Sequence, residues 1–532
     1  MDARPGKVAI FEQFAADGIT RMFGNPGTVE QGFLDAGNEV PDFEYVLALQ
    51  EAVAVGIADG YARATAGPAL VQLHSGVGLG NGIGMMYQAK RGHSPLVVIA
   101  GSAGVRFDAM DAQMAADLVG MARPVTKYAT RVVHPDSVLR VLRRAVKIAM
   151  TPPRGPVFVE LPMDILDAPN TEPVVPSTIP SRAVVPVAAE LDRAARALRG
   201  ADRPIILMGD GIAVSGAQDE LALVAARLGA EVYGVDASEL NLDTTNPRYR
   251  GTTGHMFGEH SASVVAEADA VLIVGTYVFP DVFPSLANPF RPDARIVHID
   301  LDDYEVAKNY PVDVALVADP KPTLAALALR LGDADAEPGK PSARTEVRPN
   351  DPMIEHFAAE LAARTGDELV IFDEALTASP GLLRHLPPRR PGSYFATRGG
   401  SLGVGIPGAI GIKIARPEAT VVGFTGDGGS MYTPQALWTA ARHGVAAKFV
   451  VCNNHRYELL DHNIDQYWRE RGIPAHDYPR EFDLSYPELG FAELARSLSV
   501  DAVRVEKPAE VESAVARMLA HDGPFLVDLV TG

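Results

Sequence analysis

The sequence predicts an α/β protein of three doubly wound, parallel-sheet domains, and three observations lead there. The chain has 532 residues, which at roughly 150 residues per domain gives about three domains rather than one enlarged core. Two stretches break the apolar periodicity: 168–187 carries five prolines among polar residues, and 333–352 mixes Pro, Gly and alternating charge. Read as connectors, they cut the chain into units of 1–168, 187–332 and 353–532. Within each unit, short β-rich apolar runs alternate with amphipathic helical stretches, the pattern of parallel strands joined by crossover helices.

In the first unit, 45–49, 69–73 and 96–99 read as strands and 51–64 as a helix. In the second, 204–208, 230–235, 270–274 and 295–299 are strand-like, with a helix over 217–228. In the third, 368–372, 420–424, 448–452 and 524–529 repeat the theme. Aliphatic and β-branched residues fill these runs, as in strands buried on both faces. Open parallel sheets take ligands beyond the carboxyl ends of their strands, so polar motifs placed there carry the functional argument.

Composition narrows the classes. Lys plus Arg number 48 and Asp plus Glu 67, a formal net charge of −19, which argues against a general nucleic-acid or anionic-membrane binder. The single cysteine, Cys452, excludes an intrachain disulfide and fits a reducing compartment. Residues 1–7 lack the apolar region of a signal peptide, and no apolar run approaches the roughly 18 residues of a membrane span. A soluble, cytoplasmic protein is expected.

The segment 420–457, TVVGFTGDGGSMYTPQALWTAARHGVAAKFVVCNNHRY, carries the most specific signal. A strand runs into a glycine loop; Thr433 is placed to cap the next helix with Pro434 at its first position, and Gly444 to end it. A second strand then closes at Asn453-Asn454. Right-handed crossover puts both strand ends on one sheet edge, so Asp427 and Asn454, 27 positions apart, can converge on one ion. A carboxylate and an amide oxygen are hard donors suited to Mg²⁺ or Ca²⁺, and no zinc-ligand spacing is present. Gly426, Gly428 and Gly429 let backbone N–H groups approach an anion, so a metal-held diphosphate follows.

Taken singly, G-D-G and N-N are ordinary turns; together they resemble the signature of thiamine-diphosphate-dependent enzymes. The resemblance implies that Asp427, the Asn454 side chain and the Arg456 backbone carbonyl hold Mg²⁺ against the diphosphate. Gly428, Gly429, Ser430 and Thr377 are then candidate phosphate contacts, and Tyr457 is either a cofactor contact or packing. Thiamine chemistry also needs a shielded carboxyl group at the cofactor's pyrimidine ring to promote the tautomer that removes the thiazolium C2 proton. The candidate is Glu51, in YVLALQEAVAVGIADGYARATAGPALVQLHSG, where a strand ends and a small-residue helix begins. Alone, it is equally an acidic residue at a helix N-terminus. The passage as a whole resembles the pyrimidine-binding domain of the same enzymes.

Because the glutamate and the metal motif lie in different thirds, the resemblance implies a homodimer or homotetramer with active sites at the subunit interface. Leu402, in GGSLGVGIPGAIG, stands where a bulky residue holds the bent cofactor. The likeness runs the full length and is greatest to the 2-oxo acid decarboxylases of the benzoylformate branch, through FGNPGTVE, LALQEA, LHSGVGLGN, GHSPLVV and ALWTAA. It implies Thr28 as a contact to the substrate carboxylate and His74 as acid-base catalyst, and decarboxylation of a 2-oxo acid to an aldehyde. One departure is marked: that branch has a second active-site histidine after a V-F dipeptide, whereas GTYVFPDVFPSL has none and Val282 falls at its place. His255, His260, His455 and His462 are candidates to replace it, and Arg398, His455 and Glu458 are departures expected to alter the substrate pocket. Two alternatives stand beside the decarboxylase: a carboligase of the acetolactate-synthase type, and a catalytically silent cofactor-binding subunit. The central domain has the fold that binds FAD in some branches.

Overall fold

The computed structural model describes residues 3–38, 40–332 and 347–532. Most of the second expected connector, residues 333–346, lies outside the described residues. Three six-stranded sheets follow one another along the chain, each wholly parallel, as the alternating pattern requires.

The N-terminal sheet runs, edge to edge, Glu44–Leu47, Arg21–Gly24, Ala69–Leu73, Leu96–Ser102, Val157–Pro162 and Tyr128–Arg131. Every residue of Ala69–Leu73 is buried, because helices cover both faces. The central sheet is ordered Tyr249–Thr252, Glu231–Gly234, Pro204–Met208, Ala270–Val274, Arg295–Asp300 and Val314–Val317. Its order reverses between Pro204–Met208 and Ala270–Val274, the switch point at which such sheets open a crevice. The C-terminal sheet is ordered Tyr394–Ala396, Leu369–Glu374, Thr420–Gly426, Lys448–Asn453, Phe525–Val530 and Asp501–Val505.

The first connector is extended but not loose. After the short antiparallel pairing of Arg4–Pro5 with Pro169–Asn170, Glu172 accepts from Leu139 N and Arg140 N, and Ser177 N donates to Asp17. The Glu172 bonds satisfy orphan N–H groups at the start of helix Val138–Met150.

One apolar core crosses the boundary between the outer domains: Val53, Ala54 and Ile57 join Phe372, Ile406, Ala409 and Ile410. The contact is a crossing of helices Glu51–Thr65 and Gly405–Ala415. A Cβ on Gly60 would overlap the Gly408 carbonyl, and one on Gly411 the Ile57 carbonyl. Glycine is needed here for backbone approach. The crossing ties the helix that begins at Glu51 to the helix that follows Leu402.

Candidate functional site

Two groups of polar residues gather at strand ends, one in each outer domain. In the N-terminal domain, Gln50 has extended backbone and accepts a hydrogen bond from Val53 N, capping the helix so that Glu51 is its first residue. Glu51 is only 6% exposed, and its oxygens accept from Asn25 Nδ2 at 3.2 Å and Asn81 Nδ2 at 3.0 Å. No ion pair reaches it among the described residues. Two amides rather than a cation thus hold this carboxyl group. A Cβ at Gly78 would lie 3.0 Å from Glu51 Oε1, so glycine leaves that oxygen unobstructed.

The next strand end carries His74, the residue before helix Ser75–Arg91. Its Nδ1 lies 2.8 Å from Glu30 Oε2, and the other Glu30 oxygen accepts from Gly101 N at 2.8 Å. Burial pushes the Glu30 carboxyl above its ordinary value, while the His74 and Gly101 hydrogen bonds pull it back. With Nδ1 turned to this carboxylate, Nε2 is left for a ligand. A Cβ at Gly27 would overlap the imidazole, so this glycine makes room for the ring. Thr28 opens the one-turn helix Thr28–Glu30 and is exposed. Glu30 was not singled out by the sequence reading; its partner Gly101 is 71 positions away.

In the C-terminal domain, strand Thr420–Gly426 delivers Asp427 and strand Lys448–Asn453 delivers Asn454. Asp427 Oδ2 and Asn454 Oδ1 both accept from Arg456 N, each at 3.2 Å, so the two oxygens meet at one point. Asp427 is 3% exposed. Burial raises its carboxyl, and N–H groups of Gly428, His455 and Arg456 lower it. It has no ion pair among the described residues. A buried carboxylate supported by backbone amides, beside an amide oxygen, is a donor set that fits a hard cation. No group of three or more His, Cys, Asp or Glu that could hold a metal occurs among the described residues, so a metal here depends on amide and backbone oxygens. The Arg456 guanidinium is committed to Asp461 at 2.6 Å, so Arg456 meets Asp427 and Asn454 through its main chain and not through its charge.

The remaining expected residues surround this point. The Gly428 backbone lies against the Tyr457 ring so closely that a Cβ would overlap it. The Ser430 hydroxyl donates to the Asp427 carbonyl at 2.8 Å. Gly429 is buried, Thr377 is half-buried in the turn Leu376–Ala378, and Leu402 is half-buried before helix Gly405–Ala415. Beneath that loop, buried Glu374 accepts from the N–H groups of Gly403, Val404 and Gly405.

One local expectation is corrected, and two of the departures find partners. Thr433 does not cap a helix: its hydroxyl donates to the Gly403 carbonyl at 2.6 Å, and the helix begins later, as Ala436–Arg442. Arg398 sits 3.1 Å from Asp210 and 3.6 Å from Asp236 in the central domain. Burial alone would raise Asp210; Arg398, Ser238 and Asn241 hold it below the ordinary carboxylate value. Glu458 accepts from Asn454 Nδ2 at 2.9 Å, orienting that amide. Val282 is 52% exposed, and His260 and His462 are exposed as well.

Comparison with known proteins agrees along the whole chain. Residues 5–121, 191–327 and 378–529 match, in order, models described as the thiamine pyrophosphate enzyme N-terminal TPP binding domain, central domain and C-terminal TPP binding domain. Benzoylformate decarboxylase of Pseudomonas aeruginosa is 32% identical, with 98% of each chain covered. The acetolactate synthase isozyme 3 large subunit of Escherichia coli is 27% identical, over 98% of this chain and 93% of its own. The solved thiamine diphosphate-dependent 4-hydroxybenzoylformate decarboxylase of Rhodococcus jostii RHA1 superposes with a TM-score of 0.90 at 27% identity, covering 99% of each chain. With a buried carboxyl group at one sheet edge, a pair of hard oxygen donors at another and three domain matches in order, the chain belongs to the thiamine pyrophosphate enzyme family.

Proposed function

We propose that this protein is a thiamine-diphosphate- and magnesium-dependent 2-oxo acid decarboxylase of the benzoylformate type, working as a homodimer or homotetramer. The observation that carries the reading is Glu51, buried between two amides and free of any cation among the described residues. When bound, thiamine diphosphate supplies a nucleophilic carbon for the keto group and an electron sink for the pair released with CO₂. Glu51 would exchange a proton with the pyrimidine ring, and Asn25 and Asn81 fix its orientation. His74, anchored through Nδ1 by Glu30, offers Nε2 for proton transfer to the former keto oxygen. Thr28 donates its hydroxyl to the substrate carboxylate.

At the other end, Asp427, the Asn454 amide oxygen and the Arg456 carbonyl would hold Mg²⁺ and, through it, the diphosphate. Gly428, Gly429, Ser430 and Thr377 would approach the phosphate oxygens, Leu402 would support the cofactor, and Tyr457 packs on the glycine loop. Apolar side chains support pairing of subunits: Leu49, Val77, Met431 and Tyr432 are exposed beside the two half-sites. Facing the pyrimidine half-site of one protomer with the diphosphate half-site of its partner would cover them. Cys452 is buried, and a cytoplasmic location is proposed with it.

Carboligation to a 2-hydroxy ketone is the second reading, favoured by Val282 at the place of a protonating histidine. The two separate by products. Purified protein with thiamine diphosphate and Mg²⁺ is incubated with benzoylformate, phenylpyruvate, branched 2-oxo acids and pyruvate, and CO₂ and organic products are followed. Aldehyde formed in step with CO₂ supports decarboxylation, and a hydroxy ketone supports carboligation. Cofactor uptake without turnover points to a silent binding subunit; absence of uptake by calorimetry overturns all three.

A further inference from the structure

Conversion of a 2-oxo acid to an aldehyde places protons on two atoms, the former keto oxygen and the carbon that loses CO₂, and one imidazole delivers one proton at a time. In the decarboxylase reading His74 serves the oxygen. The central domain holds a second imidazole that the fold does not use. Two of its loops pair by backbone: Val282 N donates to the His255 carbonyl at 2.9 Å and Phe283 N to the Met256 carbonyl at 2.8 Å. His255 is exposed, and its Nδ1 lies 4.0 Å from Asp236 Oδ1. A carboxylate on the Nδ1 side favours the protonated ring and leaves Nε2 outward.

Asp236 also fixes where this imidazole stands. Its Oδ2 is 3.6 Å from Arg398 Nε and 4.0 Å from Arg91 Nη2. Arg91 closes helix Ser75–Arg91, which starts directly after His74, and Arg398 stands four positions before Leu402. One carboxylate thus joins His255 to the segment that carries each of those residues. The face around it is apolar and incomplete. Val282, Phe283 and Leu286 are exposed, and on the same two loops the buried Thr253 Oγ1 and Asp281 Oδ2 have no hydrogen-bond partner among the described residues. Such a face is suited to being covered, and covering it excludes water from a proton transfer. The other histidines lack this setting: His260 and His462 are exposed on helices Gly258–Val265 and Glu458–Arg471, and no carboxylate lies within ion-pair reach of either among the described residues.

We infer that His255 is the second proton donor of the reaction. The carbon that loses CO₂ retains the electron pair of the broken bond and takes a proton from His255 Nε2, so that a C–H bond forms as the N–H bond breaks; solvent then reprotonates the ring. The proton on oxygen returns to His74 as the aldehyde leaves, and the net uptake is one proton, on carbon. The inference rests on the decarboxylase reading. Its test follows CO₂ and aldehyde separately through a single turnover of benzoylformate by the holoenzyme. His255→Ala should leave CO₂ release nearly as fast as in native protein and slow aldehyde release by about 10²-fold. Added acetaldehyde should then be captured as a hydroxy ketone in larger share, because the carbon's electron pair lacks a proton. His255→Ala/Val282→His, which moves the imidazole across the backbone pair, should recover about tenfold or more, and His260→Ala should behave as native. Equal slowing of CO₂ and aldehyde would show that His255 only supports the fold, and native aldehyde release in His255→Ala would remove it from the reaction. Independently of turnover, nuclear magnetic resonance of labelled histidine in protein loaded with thiamine diphosphate and Mg²⁺ should show the His255 signal, identified by its loss in His255→Ala, moving when benzoylformate is added. If native protein releases no CO₂, the decarboxylase reading fails by itself, and this signal decides: movement upholds the place of His255 at the substrate, and a signal unmoved overturns it.

Discussion

Glu51 and His74 are both held by side chains from distant stretches of the same domain, and each hold predicts a distinct loss. Glu51→Gln preserves shape but removes the exchangeable proton, so turnover should fall by about 10²- to 10⁴-fold while calorimetry finds cofactor affinity largely intact. Near-normal rates would refute the assigned role. Glu30→Gln leaves His74 in place but puts an amide at Nδ1 where a carboxylate accepted, and it disturbs the bond to Gly101 N. We expect kcat to drop about tenfold or more with little change in cofactor affinity; equal kcat in native and variant protein would show that Glu30 only packs. Glu51, His74, Asp427 and Asn454 were legible because each closely follows a strand in a short recognisable string. Glu30, Asn25 and Asn81 were not, because their importance comes from burial and from partners that only the folded chain brings near.

Among the elements, the loop leading into helix Gly405–Ala415 shows what periodicity misses. Its N–H groups are collected by Glu374, which also accepts from the Thr425 hydroxyl at 3.1 Å. Burial pushes the Glu374 carboxyl up to about 7, against the pull of these four donors. An acid whose folded value lies above its unfolded value stabilises the fold fully below the unfolded value, and that contribution is lost as pH rises through the folded one. Glu374→Gln cannot titrate and sets an amide N–H against donors, costing about 1–3 kcal/mol. Its deficit against the native protein should therefore shrink as pH rises from about 5 to 8, as read from denaturant midpoints without added cofactor or metal. A deficit that grows over that range would contradict the sign. The strands were largely legible, since runs such as Ala69–Leu73 and Ala270–Val274 are buried throughout and almost wholly apolar. The Thr433 error has the same source as the missed Glu374: the hydroxyl found a tertiary acceptor, Gly403, before a local one.

Across the whole molecule, Arg63 joins all three domains. Rooted in helix Glu51–Thr65, it donates to the Ala396 carbonyl at 3.0 Å and the Ser238 carbonyl at 2.8 Å, and lies 3.3 Å from Glu239. Arg63→Ala leaves buried acceptors and a carboxylate without their cation, at a cost of about 3–5 kcal/mol. Calorimetric unfolding should then resolve into separate transitions as the domains lose their common tie; a single transition at the native temperature would deny Arg63 that function. Three α/β units were readable from the alternation of strand and helix. Their docking was not, because it depends on single residues such as Arg63, Gly60 and Gly411, whose neighbours lie hundreds of positions away.

The Arg398 guanidinium bears on a property visible to the eye. It lies between Asp210 and Asp236 beside the central switch point, where Gly211 and Gly275 approach so closely that a Cβ on Gly211 would lie 2.5 Å from the Gly275 Cα. The crevice there, lined by Gly211, Gly275, Asp300 and Arg398, is open to only about 60 Å³, so an isoalloxazine-bearing nucleotide entering it would have to displace a buried, doubly paired cation. Freshly purified protein should accordingly be colourless, and a yellow preparation would mean that this plug can be drawn.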